Sequence, residues 1–190
     1  MKHKGTVTIE TERIILRKFF AEDVQAAFRN WRNDEKVTEF LRWQVHRNLA
    51  VTERVVNDWM NHYKNSDYYQ WAIVPKSVNE PIGTISVTDL DEKTGKVHIG
   101  YCIGSKWWHS GFTSEAFSAI ISFFFEEVEA ERIESMHDPE NPNSGKVMKK
   151  CGLIYEGTLR KSDWSNRGIV DACVYSILAS DYFKNGETDS

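Results

Sequence analysis

The chain has 190 residues, a length that fits one domain with a sizeable buried core. Hydrophobic residues make up 41% and charged residues 27% of the sequence, with four prolines and eleven glycines, which excludes collagen-like and disordered classes. The formal net charge of −4 argues against general nucleic-acid binding, which needs a concentrated basic surface.

The first third of the chain is predicted to hold one strand and two main helices. Residues 11–18 alternate apolar and basic side chains, which is typical of a strand with one polar face. Residues 21–33 repeat apolar side chains at helical spacing, and residues 36–47 indicate a short helix followed by a loop. Asn48 is a good N-cap, so a further helix is predicted to reach about residue 64.

The middle of the chain changes to the two-residue period of strands. Strands are predicted over 69–75, 82–90 and 97–103, and the last two form a hairpin across the polar turn 91–96. A long helix follows over 111–129, with phenylalanine and isoleucine side chains on its buried face.

The last third alternates strands and a helix. A short strand is predicted over 132–137, and a helix over 143–151 that Gly152 ends. The strands 153–164 and 169–178 then form a final hairpin.

The resulting order, β-α-α-β-β-β-α-β-α-β-β, predicts a mixed α/β fold in which an antiparallel meander precedes strand–helix–strand crossovers. We expect one domain over residues 7–183 and a polar tail at 184–190. The loop 107–114 joins a strand to the N-terminus of the longest helix. Exposed N–H groups at a helix N-terminus bind anions, so this loop is predicted to accept a phosphate group.

The cysteine and histidine patterns argue against several classes of site. Cys102, Cys151 and Cys173 form no CxxC pair and are odd in number, which predicts reduced thiols and a cytoplasmic protein without a disulfide framework. No HxxxH or HxH spacing occurs, so no metal is expected. The most apolar run, residues 116–125, is far shorter than the ~20 residues that span a bilayer, so no membrane partner is expected.

Short motifs follow one another in a characteristic order over nearly the whole chain, from about residue 8 to residue 183. They are Thr-Glu-Arg-Ile-Ile-Leu-Arg at 11–17, Asn30-Trp31, Trp71-Ala72-Ile73, Pro81-Ile82-Gly83, Ile99-Gly100-Tyr101, Trp-Trp-His-Ser-Gly-Phe-Thr-Ser-Glu-Ala at 107–116, Asn-Pro-Asn-Ser-Gly-Lys-Val-Met-Lys-Lys-Cys-Gly at 141–152, Tyr155-Glu156-Gly157, Asp171 and Tyr-Ser-Ile-Leu at 175–178. In this order and spacing the sequence resembles the GNAT acetyltransferases, in the RimJ/RimL-like branch that acetylates ribosomal-protein N-termini.

The resemblance implies a fold and an activity. The fold is a single-domain GNAT fold, with a central, mostly antiparallel twisted sheet, a splayed pair of strands and flanking helices. The activity is N-acetyl transfer from acetyl-CoA, wedged between the splayed strands, to a primary amine on a peptide N-terminus or a small molecule. The amine attacks directly in a ternary complex, and the oligomeric state is open between a monomer and a homodimer.

The resemblance also implies which residues bind acetyl-CoA. The strand 97–103 offers backbone groups to the pantetheine arm, the loop 109–114 cradles the pyrophosphate by its N–H groups, and Asn141 hydrogen-bonds the pantetheine. Lys146 either meets the 3′-phosphate or lies on a solvated helix face. The predicted cofactor residues are Tyr101, Cys102, Ile103, His109, Ser110, Gly111, Phe112, Thr113, Ser114, Asn141, Ser144 and Lys146.

The loop departs from the family pattern at three positions. Trp108 takes the place of a glutamine or arginine, Thr113 that of a small residue, and His109 stands where branch members commonly have glycine. A histidine held there at positive φ would be strained. Binding through backbone N–H groups tolerates side-chain changes that point outward.

An acid is needed to protonate the thiolate that leaves, because acetyl transfer releases a coenzyme A thiol. Many members of the family place a tyrosine for this purpose where this chain has Met148, which cannot donate a proton. We predict that Ser144 is the acid, with Tyr155 as the second choice. The alternative for Ser144 is that it only caps the helix that starts there.

A base is needed to deprotonate the attacking ammonium group. His98 stands where branch members often have glutamate, and a neutral histidine is a good proton acceptor near pH 7. Two alternatives stay open: His98 is a solvated strand residue, or water relays the proton to Glu140 or Asp138.

Tryptophans are the candidates for the acceptor pocket, together with His98. Trp31 falls on an apolar helix face, which also fits core packing, whereas Trp43 lies in an irregular stretch beside His46. A second function stays open: because the family tyrosine is absent at Met148, the chain could be a non-catalytic acyl-CoA sensor of the same fold.

Overall fold

Eight strands form one open sheet in the computed structural model, which describes residues 1–187. They are β1 (Ile9–Glu10), β2 (Ile14–Arg17), β3 (Gln70–Pro75), β4 (Gly83–Asp91), β5 (Lys96–Ile103), β6 (Arg132–His137), β7 (Ile154–Ser165) and β8 (Gly168–Leu178). Their order across the sheet is β1-β2-β3-β4-β5-β6-β8-β7, and every neighbouring pair is antiparallel except β5 and β6. The predicted mixed fold with a mostly antiparallel sheet is confirmed.

Helices cover both faces of this sheet. They are α1 (Val24–Ala27, continued by a π-helical turn over Phe28–Arg32), α2 (Glu35–Thr38), α3 (Leu49–His62), α4 (Phe112–Phe123, continued by a π-helical turn over Phe124–Val128), α5 (Pro142–Lys150) and α6 (Ala179–Glu187). No helix in the described part of the chain is long and apolar enough to cross a membrane.

The C-terminal end differs from the sequence prediction. The helix α6 begins directly after β8 and reaches residue 187, so it covers the end of the predicted domain and part of the predicted tail 184–190. Tyr182 packs its ring 5.2 Å from that of Phe125, which ties α6 to the core. Residues 188–190 of the predicted tail lie outside the described residues.

Side-chain alternation divides the sheet between two cores. On β3, Trp71 packs in the core beneath α4, whereas Ala72 packs in the core beneath α1 and α3. On β5, Tyr101 belongs to the first core and Cys102 to the second. The two faces of β5 therefore look into different compartments, because successive strand side chains point to opposite faces.

The parallel pair β5 and β6 parts along its length. The pair is in register at only three positions, ending with His98 opposite Glu134, although β5 continues to residue 103 and β6 to residue 137. Each strand keeps its antiparallel neighbour on the other side, so the gap opens between them alone. The Ser135 hydroxyl donates to the carbonyl of Ile99 at 2.8 Å, at the point where the gap begins.

Candidate active site

A cleft of about 1310 Å³ opens where β5 and β6 part. Its walls are these two strands, the start of α4, the helix α5, the segment from α1 to α3 and the β7–β8 hairpin. The predicted site residues that line it are Trp43, His98, Tyr101, Cys102, Ile103, His109, Gly111, Thr113, Ser114, Asn141, Ser144 and Lys146. Trp31, Ser110, Phe112 and Tyr155 do not line it.

The edge of β5 that faces the gap offers free backbone groups. The carbonyl of Ile99 points towards β6, because it accepts the Ser135 hydroxyl. Alternation puts the N–H and carbonyl groups of Tyr101 and Ile103 on the same edge. The Ile103 carbonyl accepts the indole N–H of Trp108 at 3.1 Å, which leaves the groups of Tyr101 for an extended ligand.

The start of α4 forms a turn whose backbone and charges are suited to an anion. Gly111 is the N-cap with φ 83°, and His109 has φ 62°, so the predicted strain at His109 is present in the backbone. The first N–H groups of a helix have no intrahelical acceptor, and Gly111, Thr113 and Ser114 line the cleft. A Cβ added at Gly111 would lie 3.3 Å from Arg13 Nη2 and 4.0 Å from Lys150 Nζ, so two cations flank this turn.

Arg13 also explains why two of the predicted loop residues lie outside the cleft. Its Nη1 donates to the Ser110 carbonyl at 3.1 Å, and its guanidinium carbon lies 4.8 Å from the Phe112 ring centre. The Ser110 hydroxyl donates to the Trp107 carbonyl at 2.5 Å and so closes the turn. Both side chains therefore support the loop, whereas binding of the cofactor by the backbone N–H groups of Ser110 and Phe112 stays a prediction.

Ser144 lies in the first turn of α5, at the side of the cleft. The helix begins at Pro142 with Asn141 at its N-cap position, so the alternative that Ser144 caps this helix is wrong. The Tyr101 hydroxyl donates to the Ser144 carbonyl at 3.0 Å, which fixes α5 against β5. Met148, one turn later, is buried in the core and offers no proton donor.

Tyr155 lies too far from the gap to serve as the predicted second acid. It belongs to β7, the last strand of the sheet, and β8 lies between β7 and β6. Two strand spacings of about 4.8 Å each therefore separate its backbone from that of β6. Its ring is half-exposed, and its hydroxyl bonds Thr158 at 2.7 Å.

His98 is buried at the floor of the cleft and contacts a carboxylate. Its Nδ1 lies 3.2 Å from Glu134 Oε1, across the last paired position of β5 and β6. This contact favours a proton on Nδ1, which leaves Nε2 as the acceptor, and Nε2 has no protein partner among residues 1–187. The alternative that His98 is a solvated strand residue is wrong, because it is only 8% exposed.

Glu134 is held as a carboxylate by three donors. Burial raises its pKa, but hydrogen bonds from His98, Lys96 and Arg132 outweigh burial and leave the pKa below its ordinary value. Lys96 Nζ lies 3.2 Å from Oε1 and Arg132 Nε lies 3.2 Å from Oε2. A carboxylate in this position orients the imidazole and stabilises it when protonated.

The other end of the cleft, beneath α1 and α3, is aromatic. Trp43 lines it, with its ring centre 5.5 Å from that of His46. Trp31 lies outside it: the side chain is fully buried and its ring packs 6.1 Å from Phe19. The prediction of Trp31 as a substrate residue is therefore wrong, and the core-packing alternative holds.

The cysteine thiols of the two cores are poor nucleophiles. Burial raises the pKa of Cys102 to about 11 and raises that of Cys151 as well. We expect both to react slowly with a thiol reagent in the native state, because the thiolate is the reactive form. Cys102→Ser and Cys151→Ser should each leave turnover within a few-fold of the wild type. A loss of about a thousandfold, the scale of a lost nucleophile, would reveal a thiol mechanism.

Two residues of the site were not selected from the sequence. Glu134 becomes a partner of His98 only through the parallel register of β5 and β6, which no sequence pattern states. Arg32 lines the cleft from the π-helical turn after α1 and is 5% exposed. The sequence signal that could have identified Arg32 is its position as a charged residue within an apolar helix pattern.

The fold and the cleft together define a class of protein: a one-sheet α/β protein whose central strands part beside the N-terminus of a helix. A family model described as an acetyltransferase (GNAT) domain matches residues 13–154. The chain therefore belongs to the GNAT acetyltransferase family.

Individual relatives agree with this assignment. The uncharacterized N-acetyltransferase YoaA of Bacillus subtilis (strain 168) is 31% identical over 170 residues, which cover 90% of this chain and 96% of the relative. The ribosomal-protein-serine acetyltransferase of Escherichia coli (strain K12) is 28% identical over 100 residues, or 53% of this chain and 56% of that protein. The crystal structure of a GNAT-family acetyltransferase from Bacillus anthracis superposes with a TM-score of 0.79 at 26% identity, covering 92% of this chain and 99% of that one. The predicted resemblance to the RimJ/RimL-like branch is confirmed.

Proposed function

We propose that the chain is an N-acetyltransferase that moves the acetyl group of acetyl-CoA to a primary amine by direct attack in a ternary complex. The observation that carries the proposal is the arrangement of the cleft. It has an anion-binding turn at one end, a free strand edge along its length, and a histidine–carboxylate pair at the point where the strands meet. The three free cysteines fit the proposed cytoplasmic location.

The residues present fit acetyl-CoA as the donor. The N–H groups at the start of α4, with Arg13 and Lys150 beside them, suit a pyrophosphate. The free backbone groups of Tyr101 suit the amides of a pantetheine arm, and Asn141 lines the same wall. Lys146 lies near the cleft on an exposed part of α5, where it suits the 3′-phosphate. Bound acetyl-CoA supplies an activated acetyl group whose thiolate can leave.

His98 is the residue we assign to deprotonating the acceptor. Glu134 holds the proton on Nδ1, so Nε2 is free to accept one from an ammonium group. The Glu134 carboxylate then faces a protonated imidazole, an arrangement that favours the transfer. Glu140 and Asp138 also line the cleft, but the Asp138 carboxylate is paired with Arg167 at 3.2 Å.

Ser144 is the residue we assign to protonating the thiolate that leaves. We expect Ser144→Ala to lower kcat by about 10–100-fold, because water can partly replace a hydroxyl donor. The binding of acetyl-CoA should stay nearly unchanged, since the interaction forms only as the sulfur departs. Steady-state kinetics and a binding titration check this, with Ser118→Ala, an exposed serine of α4, as the control. Loss of thermal stability alone would leave Ser144 without a catalytic role.

The non-catalytic sensor is kept as the second candidate because Met148, at the place of the family tyrosine, is buried and cannot donate a proton. Both candidates bind acetyl-CoA, so turnover separates them. The test is free-thiol release from acetyl-CoA with a panel of primary amines that includes peptides with serine and alanine N-termini. Amine-dependent release supports the transferase, whereas binding without release by any amine supports the sensor.

A further inference from the structure

Arg32 is a buried cation without a counter-ion. Its side chain lies at the aromatic end of the cleft, and its residue is 5% exposed. Its Nε is buried with no hydrogen-bond partner, and no carboxylate among residues 1–187 forms an ion pair with it. By contrast, Arg17 binds Asp23 with two hydrogen bonds of 2.7 and 2.9 Å.

Two tryptophans hold the guanidinium between them. Its central carbon lies 4.2 Å from the Trp43 ring centre and 4.8 Å from that of Trp59. Cation–π contact of this kind stabilises the cation. It satisfies none of the N–H donors, which lie around the rim of the plane and need oxygen acceptors.

No neighbouring group neutralises this charge. Burial lowers the pKa of Arg32 to about 10, so the guanidinium still carries its charge at neutral pH. Burial and then the Arg32 charge lower the pKa of His46 to about 4, which keeps that imidazole neutral. The Cys102 thiol nearby is also neutral, since burial raises its pKa to about 11. A single positive charge therefore lies in a desolvated wall of the cleft.

The other buried or half-buried carboxylates of the cleft are paired, and its remaining charged side chains, Lys36, Glu140, Lys146 and Lys150, are exposed to solvent. Asp163 pairs with Arg42, and the carboxylates of Asp89 and Glu134 both lie near Lys96. An isolated buried charge is costly unless something pairs with it. Arg32 is thus a buried charge of this cleft for which the described residues 1–187 provide no counter-ion.

We propose that Arg32 binds an anionic group of the acceptor: the amine that is acetylated beside His98 belongs to a molecule that also carries a carboxylate or a phosphate. The proposal rests on the proposed function and adds the substrate class. His98 and Cys102 lie on the same face of β5, four residues apart, a distance of about 13 Å along the strand. The amine and the anion are therefore separated by several bonds.

Matched acceptor pairs test this directly. We would compare kcat/KM for amino acids of increasing length with kcat/KM for their neutral amides, and for aminoalkyl phosphates with the corresponding amino alcohols. A charge-assisted bond to a buried guanidinium predicts a preference of about 10–100-fold for the anionic member of at least one pair. The anion class with the larger preference in kcat/KM identifies whether the site binds a carboxylate or a phosphate.

Variants assign the preference to Arg32. Arg32→Gln should abolish it, and Arg32→Lys should keep part of it, because lysine retains the charge without the planar fork. Arg29→Gln is the matched control: this arginine lies one turn earlier, is exposed and pairs with Glu80, so the preference should be unchanged. Removing an unpaired buried charge should not greatly lower Tm, so Arg32→Gln is expected to fold.

Three results would overturn the proposal. One is a wild type that does not distinguish anionic from neutral acceptors, a comparison that needs no variant to fold. Another is an Arg32→Gln variant that loses equal activity towards both members of a pair, since Arg32 would then act on the transferred group or on structure. The third concerns the case in which no amine is acetylated, which refutes the proposed function. Anion binding by Arg32 then predicts that the same amino acids and phosphates raise the Tm of the wild type but not of Arg32→Gln. An equal Tm response, or none, in both proteins would overturn the proposal.

Discussion

Gly111→Val is expected to abolish the thermal stabilisation that acetyl-CoA gives to the wild type. At a ligand concentration 100 times Kd the stabilisation is about 2.7 kcal/mol, or about 5–10 °C in Tm for a domain of this size. A side chain at Gly111 would enter the space between the N–H groups of α4 and the cations Arg13 and Lys150. The phosphates would then lose their approach to the backbone.

Gly168→Val provides a matched control for this experiment. Gly168 also has positive φ, 97° compared with 83° at Gly111, and is the first residue of β8, with open space around it. Both variants should lose some intrinsic stability because valine is strained at positive φ. Only Gly111→Val should lose the response to acetyl-CoA. A full response in Gly111→Val would show that the coenzyme does not bind at the start of α4.

His98→Gln is expected to lower kcat/KM by about 100–1,000-fold at neutral pH, within the range of a lost general base. Glutamine keeps a polar side chain of similar length but does not take up a proton. A general base acts only in its unprotonated form, so the kcat/KM of the wild type should fall at acidic pH. In the variant this acidic limb of the kcat/KM profile should be absent.

Three further variants make the assignment of His98 specific. Glu134→Gln should have a smaller effect, because it removes the group that orients His98 and leaves the imidazole itself. The double variant should lose little more than His98→Gln, since the two residues act as one unit. His62→Gln, at an exposed histidine of α3, should behave as the wild type. An unchanged pH profile in His98→Gln would show that water or a carboxylate, and not His98, is the general base.

Local signals in the sequence predicted the elements at the α4 end of the cleft. The strand β5, the loop with Gly111 and the start of α4 are neighbours in sequence, so periodicity and one glycine were sufficient to place them. The helices α3 and α5 were likewise predicted to within about two residues of their bounds. The small elements β1 and α2 are too short for a periodic signal to mark their ends.

The aromatic end of the cleft could not be predicted in the same way, and Trp31 and Arg32 show why. Both residues belong to the π-helical turn over Phe28–Arg32, which has a wider turn than an α-helix. Counting at 3.6 residues per turn cannot anticipate that two consecutive side chains are buried in different places. Trp31 therefore entered the core although it was predicted for the pocket, and Arg32 entered the pocket unpredicted.

Residues brought together by the sheet order were equally hidden from the sequence. His98 meets Glu134 because β5 and β6 are parallel neighbours, 36 residues apart along the chain. Tyr155 was predicted as the second choice for the acid, but β8 lies between its strand and β6. Strand order is set by long-range pairing, which local periodicity does not encode.

The most direct test of the proposed activity is mass spectrometry of the products formed from acetyl-CoA and a mixed library of primary amines. The library should contain N-terminal peptides, neutral amines, amino acids and aminoalkyl phosphates. We expect the wild type to convert a subset of these amines into species heavier by one acetyl group, with an equal amount of free coenzyme A thiol. His98→Gln should form far less of the same products. A wild type that binds acetyl-CoA and leaves every amine unmodified would contradict the assignment of this chain as an N-acetyltransferase.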